Sequence, residues 1–168
     1  MNETIIQLVE DMTEASLDWE HSRPHEISAA LAAVQIDRLE RVVIIRGNFD
    51  DKSDRGFITL INPEVVKYEG KITEDYEGCL SVSNIYGKVP RYSKIRVRAL
   101  DVNGNEIRFK AEGFLARVIQ HEIDHTNGVL FVDHIKEKGD AFYTLDEHGE
   151  LQPLNYEKHI TSNSILWN

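Results

Sequence analysis

Cysteine is nearly missing from the sequence. Cys79 is the one thiol in 168 residues, so no intramolecular disulfide can form. In a reducing, cytosol-like compartment such a lone thiol is free to act as a metal ligand. Basic residues are also scarce, with 19 Lys and Arg against 29 Asp and Glu, a formal net charge of -10. That balance leaves no basic stripe and argues against direct nucleic-acid binding. Acidity of this size serves solubility. No apolar run approaches the ~20 residues a membrane-spanning helix needs. The opening stretch MNETIIQLVEDMTEASLDWE lacks both a basic leader and a continuous apolar segment, so it does not read as a signal peptide. It is also too acidic for an organellar transit peptide. These absences point to the cytoplasm. What is present, 41% hydrophobic and 29% charged residues, is ordinary for a globular chain of one-domain length.

Periodicity organises the chain. Ile5, Ile6, Leu8, Val9, Met12, Ala15 and Leu17 recur at helical spacing, which predicts an amphipathic helix from about Thr4. A proline-containing loop, HSRPHE, precedes the small, apolar stretch ISAALAAVQI. RVVIIRG reads as a buried strand closed by Gly47, and FITLINP as a second strand stopped at Asn62-Pro63. Val65, Val66 and Tyr68 begin another, ending at a Glu69-Gly70 turn. SKIRVRALD and NGNEIRFKAEG pair as a hairpin around Asn103-Gly104. A helix is predicted over Phe114 to Thr126, ended by Asn127-Gly128. VLFVDHI reads as a short strand, and FYTLDEHGELQPL as a hairpin around His148-Gly149. The expected class is α+β, with antiparallel sheets packed around a central helix.

That helix carries the densest chemistry. His121-Glu122-Ile123-Asp124-His125 is an H-E-x-x-H pattern, whose histidines at i and i+4 share a face and can aim at one ion. A divalent metal held there lowers the pKa of water and polarises a carbonyl, and Glu122 is placed to handle the proton. Two histidines leave the third ligand open. The metzincin extension requires a histidine where Phe131 stands, and His134 comes three residues too late. A downstream glutamate would need a second helix, which the turn-rich segment after Lys136 does not promise. Cys79, in YEGCLSVS, remains. A buried cysteine is ordinarily a small hydrophobe, but with two histidines its thiolate would bind Zn²⁺ or Fe²⁺ and leave one coordination position open. The rival role, a nucleophilic thiol, would use the same lone pair.

With Glu77-Gly78-Cys79-Leu80-Ser81 and Gln120-His121-Glu122-Ile123-Asp124-His125 both intact, the sequence resembles the peptide deformylase family. LINPEVV, KVPRYSKIRVRALDVNGNEIRFKAEGFLARVI and NGVLFVD are also similar to that family, and the resemblance runs from about Ile5 to Ile135. It implies a single deformylase-like domain over residues 1–168, with a core of 1–136 and a divergent extension of 137–168. The implied reaction is removal of the N-terminal formyl group from formyl-methionyl peptides, releasing formate. The substrates would be nascent peptides, met at the ribosome, with no membrane involved. Cys79, His121 and His125 would hold one divalent ion, natively Fe²⁺, with Zn²⁺, Ni²⁺ or Co²⁺ as substitutes. Glu122 would be the general base and then the acid. Gln35 and the backbone N–H of Leu80 would stabilise the oxyanion. Glu77 and Arg91 match family positions and are expected to pair and stiffen the Cys79 segment.

The first family motif, G-x-G-x-A-A-x-Q, is altered. SAALAAVQ puts Ser28 and Ala30 where the family has glycines, while Ala32, Ala33 and Gln35 are kept. The family's glycines lie along the substrate, so Ser28 and Ala30, with Gly78, are the expected substrate-binding positions, and an added Cβ there is expected to hinder approach. Ser83 stands where a proline is common. Two readings follow: a working deformylase with an altered substrate range, or a paralogue that keeps the metal but binds, regulates or acts on another amide.

Overall fold

A computed structural model of the chain describes residues 3–23 and 26–161; Pro24 and His25 of the predicted loop lie outside them. Helix α1 spans Glu3–His21 and α2 spans Gly113–Thr126. The strands are β1 (Ala30–Ala32), β2 (Val42–Arg46), β3 (Phe57–Cys79), β4 (Val82–Leu100), β5 (Glu106–Glu112), β6 (Phe142–Leu145) and β7 (Leu151–Pro153). Every recorded strand pairing is antiparallel. The class is therefore a mixed helix and antiparallel-sheet fold. Among the described residues no helix is long and apolar enough to cross a membrane.

The chain divides into two compact units, Met1–Lys71 with Tyr92–Gly128, and Ile72–Arg91 with Val129–Asn168. Strands β3 and β4 contribute to both. In the first unit β2 is buried at all five residues, as the unbroken run VVIIR requires of a strand covered on both faces. It pairs with β1 (Ala30↔Ile45) and with β3 (Val42↔Ile61). β4 pairs with β5 from Lys94↔Glu112 to Leu100↔Glu106. Val43, Ile45, Leu60, Ile95 and Val97 form a core with Ala116, Ile119 and Ile123 of α2. Burying each of the large side chains contributes about 1.5–3 kcal/mol. Helix α1 buries Leu8, Met12, Ser16 and Glu20, a stripe at four-residue spacing whose second half is polar. The sequence's own apolar list continued instead to Leu17, which is only half-buried.

The second unit packs Val82, Val89, Phe131, Val132, Ile135 and Phe142 together. β6 pairs with β4 at Tyr86↔Tyr143, and β7 pairs with β6 as the predicted tail hairpin, turning at Gly149 (φ 80°). Three expectations are corrected. β3 is one strand through both Asn62-Pro63 and Glu69-Gly70. Pro63 falls beyond the last β2 pair at Ile61, so its missing N–H breaks no recorded bond of that ladder. Asn62 (φ 49°) and Gly70 (φ 74°) take left-handed conformations that bend the strand without ending it. β4 begins at Val82, well before SKIRVRALD. VLFVDHI contains a 3₁₀ turn over Phe131–His134, not a strand. There the Asp133 carboxylate accepts the Leu130 N–H at 2.8 Å, and Phe131, Val132 and Ile135 face the core together, which a strand's alternation would forbid.

Candidate metal centre

Helix α2 starts at Gly113 (φ 59°) and ends where Gly128 (φ 74°) turns the chain. Arg41 secures that end by donating to Thr126 O at 2.9 Å and Asn127 Oδ1 at 2.7 Å, a cation on the negative pole of the helix. One turn of α2 brings His121 and His125 together, with Nε2 atoms 3.2 Å apart and rings edge to face. His125 is buried, His121 half-buried, and Glu122 between them is 5% exposed. Gln120, the preceding residue, is fixed on both sides of its amide. Its Nε2 donates to Ala116 O at 2.8 Å and Tyr92 O at 2.9 Å, and its Oε1 accepts the Tyr92 N–H at 3.2 Å. The register of α2 against β4 is thereby held one residue from the histidine pair.

Cys79 ends β3, and Leu80-Ser81 make the turn into β4. Its sulfur accepts the Ser81 N–H at 3.4 Å. Gly78 has no room for a side chain, since a Cβ would lie 2.7 Å from the Tyr86 ring. Glu77 and Arg91 form a buried bidentate pair, Nε to Oε1 at 2.9 Å and Nη2 to Oε2 at 3.0 Å. Arg91 Nη1 also lies 3.3 Å from His134 Nε2. His134, set aside as a ligand because of its spacing, stands beside this ion pair instead.

Cys79, His121 and His125 present ligand atoms that all lie within 4.8 Å of one another. Two nitrogens on one tetrahedral ion stand about 3.3 Å apart, given metal–nitrogen bonds of ~2.0–2.1 Å. The observed 3.2 Å between the imidazoles matches that edge. One thiolate with two neutral imidazoles suits a borderline-soft divalent ion and leaves a coordination position open. The donor set therefore fits a metal.

Gln35 lies in a 3₁₀ turn, Ala33–Ile36, that follows β1 directly. Its Oε1 accepts the Ala32 N–H at 2.9 Å, which fixes the amide so that its NH₂ end is the donor end. Ser28 and Ala30 are both buried, at 2% and 8% exposure. Sequence reasoning named Gln120 only as part of its motif, weighed His134 only as a ligand, and passed over Arg41. Gln120 carried a visible signal, as it lies four residues from Ala116 on the apolar side of α2. Arg41 and His134 carried none, since their partners are distant in sequence.

A family model described as polypeptide deformylase matches residues 1–141. A protein of Thermomicrobium roseum named peptide deformylase is 40% identical over 153 residues, 89% of this chain and 82% of its own length. A solved peptide deformylase from Legionella pneumophila is 39% identical with a TM-score of 0.68, covering 79% of this chain and 72% of that one. A Met-Ala-Ser-bound class I type b peptide deformylase from Acinetobacter baumannii is 31% identical with a TM-score of 0.69, covering 80% and 82%.

Proposed function

The chain belongs to the peptide deformylase family, and on that premise we propose how its own residues carry out the reaction. It is a metal-dependent amide hydrolase that removes the N-terminal formyl group from formyl-methionyl peptides and releases formate. The observation that carries the assignment of residues is the grouping of Cys79 with His121 and His125, next to the buried Glu122 on the same helix. Cys79, His121 and His125 hold one divalent ion, Fe²⁺ in the cell. When bound, that ion acts as a Lewis acid, acidifying water and polarising the formyl carbonyl.

Glu122 takes a proton from water as its oxygen bonds to the formyl carbon. The amide nitrogen then receives that proton from Glu122 as the C–N bond breaks. The Gln35 NH₂ and the Leu80 N–H donate to the oxygen that gains charge in the tetrahedral intermediate. The products are formate and a peptide with a free amine. Glu77 and Arg91 hold the strand ends that flank Cys79, and Ser28, Ala30 and Gly78 belong to segments that run past the bound peptide. Nascent chains are the substrate class, which assigns the protein to the cytoplasm, at or near the ribosome, as one functional domain over its length.

Formate release from a formyl-Met tripeptide tests this reading, with the protein prepared anaerobically in Fe²⁺. Release from the formyl peptide and none of the corresponding product from its acetyl analogue is expected. Equal rates of hydrolysis on both, or on neither, would contradict it.

A further inference from the structure

Ser28 is the serine that stands in place of a family glycine, and its surroundings do not resemble a ligand-facing wall. The residue is 2% exposed, and its Oγ accepts a 2.6 Å hydrogen bond from Ser16 Oγ of α1, itself 1% exposed. Its backbone N–H donates to Glu20 Oε1 at 2.7 Å, one helical turn further along α1. The same Glu20 oxygen receives Arg46 Nη2 in an ion pair buried at both ends. Arg46, the last residue of β2, also donates its own N–H to Ala29 O at 2.8 Å. Residues 28 and 29 are thus tied to α1 by a hydroxyl and a carboxylate, and to β2 by a backbone bond. A glycine at 28 would keep the backbone bonds and lose the hydroxyl pair.

Only a short, stiff path leads from this anchor to Gln35. β1 follows at Ala30–Ala32, paired to Ile45, Ile44 and Val43, and the next turn returns Gln35 Oε1 to the Ala32 N–H. We propose that Ser28, with Ser16 and Glu20, is a positioning residue that locks β1 to α1 and so fixes the Gln35 amide. The substituted glycine is then a gain in rigidity, with the Ser28 hydroxyl turned to Ser16 of α1. This rests on the deformylase reading of Gln35 as a donor to the oxyanion. Donors of that kind act mainly in the transition state, so misplacing one lowers kcat and spares KM.

The variants Ser28→Gly, Ser16→Ala and the double variant test this in the Fe²⁺-loaded protein by steady-state formate release. Each single variant is expected to lower kcat about tenfold with KM within about twofold, modest beside the ~100-fold that a 1 Å misplacement can cost. The double variant should be no worse than either single one, since both remove the same bond. Ser16→Thr, which retains a hydroxyl, should keep kcat near that of the parent. An unchanged kcat, or a rise in kcat/KM for Ser28→Gly, would overturn the proposal and make Ser28 inert or an obstruction. Amide hydrogen exchange reads the latch independently of activity. Exchange across residues 29–35 should quicken about tenfold in Ser28→Gly and Ser16→Ala while β5 is unchanged; unaltered exchange also overturns it. A parent protein that releases no formate would sink the deformylase reading, and the exchange result would still decide the latch.

Discussion

At the residue scale the chemistry follows from donor type and burial. Of the two carboxylates inside the H-E-x-x-H turn, Glu122 is buried and Asp124 only half-buried. Glu122→Ala should reduce formate release by about 10²–10⁴-fold, the usual contribution of a general acid–base. Metal content should stay the same, because the three ligands remain; a loss of metal with the activity would assign Glu122 to the ion instead. Glu77→Ala leaves the buried Arg91 guanidinium without its carboxylate and should destabilise by about 3–5 kcal/mol, visible as a lower thermal midpoint. The grouping of Cys79 with His121 and His125 was open to sequence reasoning, because thiolate and imidazole are strong metal donors and the histidines stand one helical turn apart. The contacts of Ser28 were not, since its partners are Ser16 and Glu20, and a sequence shows nothing of which side of α1 a distant serine meets.

At the element scale, helix and strand ends hold the local structure. Gly128 sits at φ 74° with open space around it, so a Cβ there meets no neighbour but strains the backbone. Gly128→Ala should therefore cost about 1 kcal/mol in chemical denaturation. The β4–β5 loop is held by Asp101, whose Oδ1 accepts the Asn103 and Asn105 N–H groups at 2.8 and 2.9 Å. The Asn105 N–H, above all, keeps this carboxyl below its ordinary value of 3.8. A depressed folded-state pKa contributes stability that is present above the unfolded value and lost as pH falls through the folded one. Amide protection at Asn103 and Asn105 should thus persist at pH 5 and fade well below pH 4. Protection that fades nearer pH 6 would point to another group. The hairpin was readable from Asn103-Gly104, and α2 from its periodicity. β3 was not readable as one strand, because Pro63 and Gly70 break most strands. Here β2 pairing has ended before Pro63, and the bends at Asn62 and Gly70 are absorbed within the strand.

At the scale of the molecule, the candidate ligands come from two distant parts of the chain, the end of β3 and the last turns of α2. An ion held by both stabilises the folded state by mass action, since the unfolded chain lacks the assembled donors. Chelation should lower the thermal midpoint and abolish formate release together, and Fe²⁺ should restore both. The central claim is that Cys79 completes the histidine pair. X-ray absorption on the zinc-substituted protein measures this directly. One sulfur at about 2.3 Å and two imidazole nitrogens at about 2.0–2.1 Å are predicted, with the sulfur lost in Cys79→Ala. A shell of nitrogen and oxygen alone in the parent protein would contradict the account.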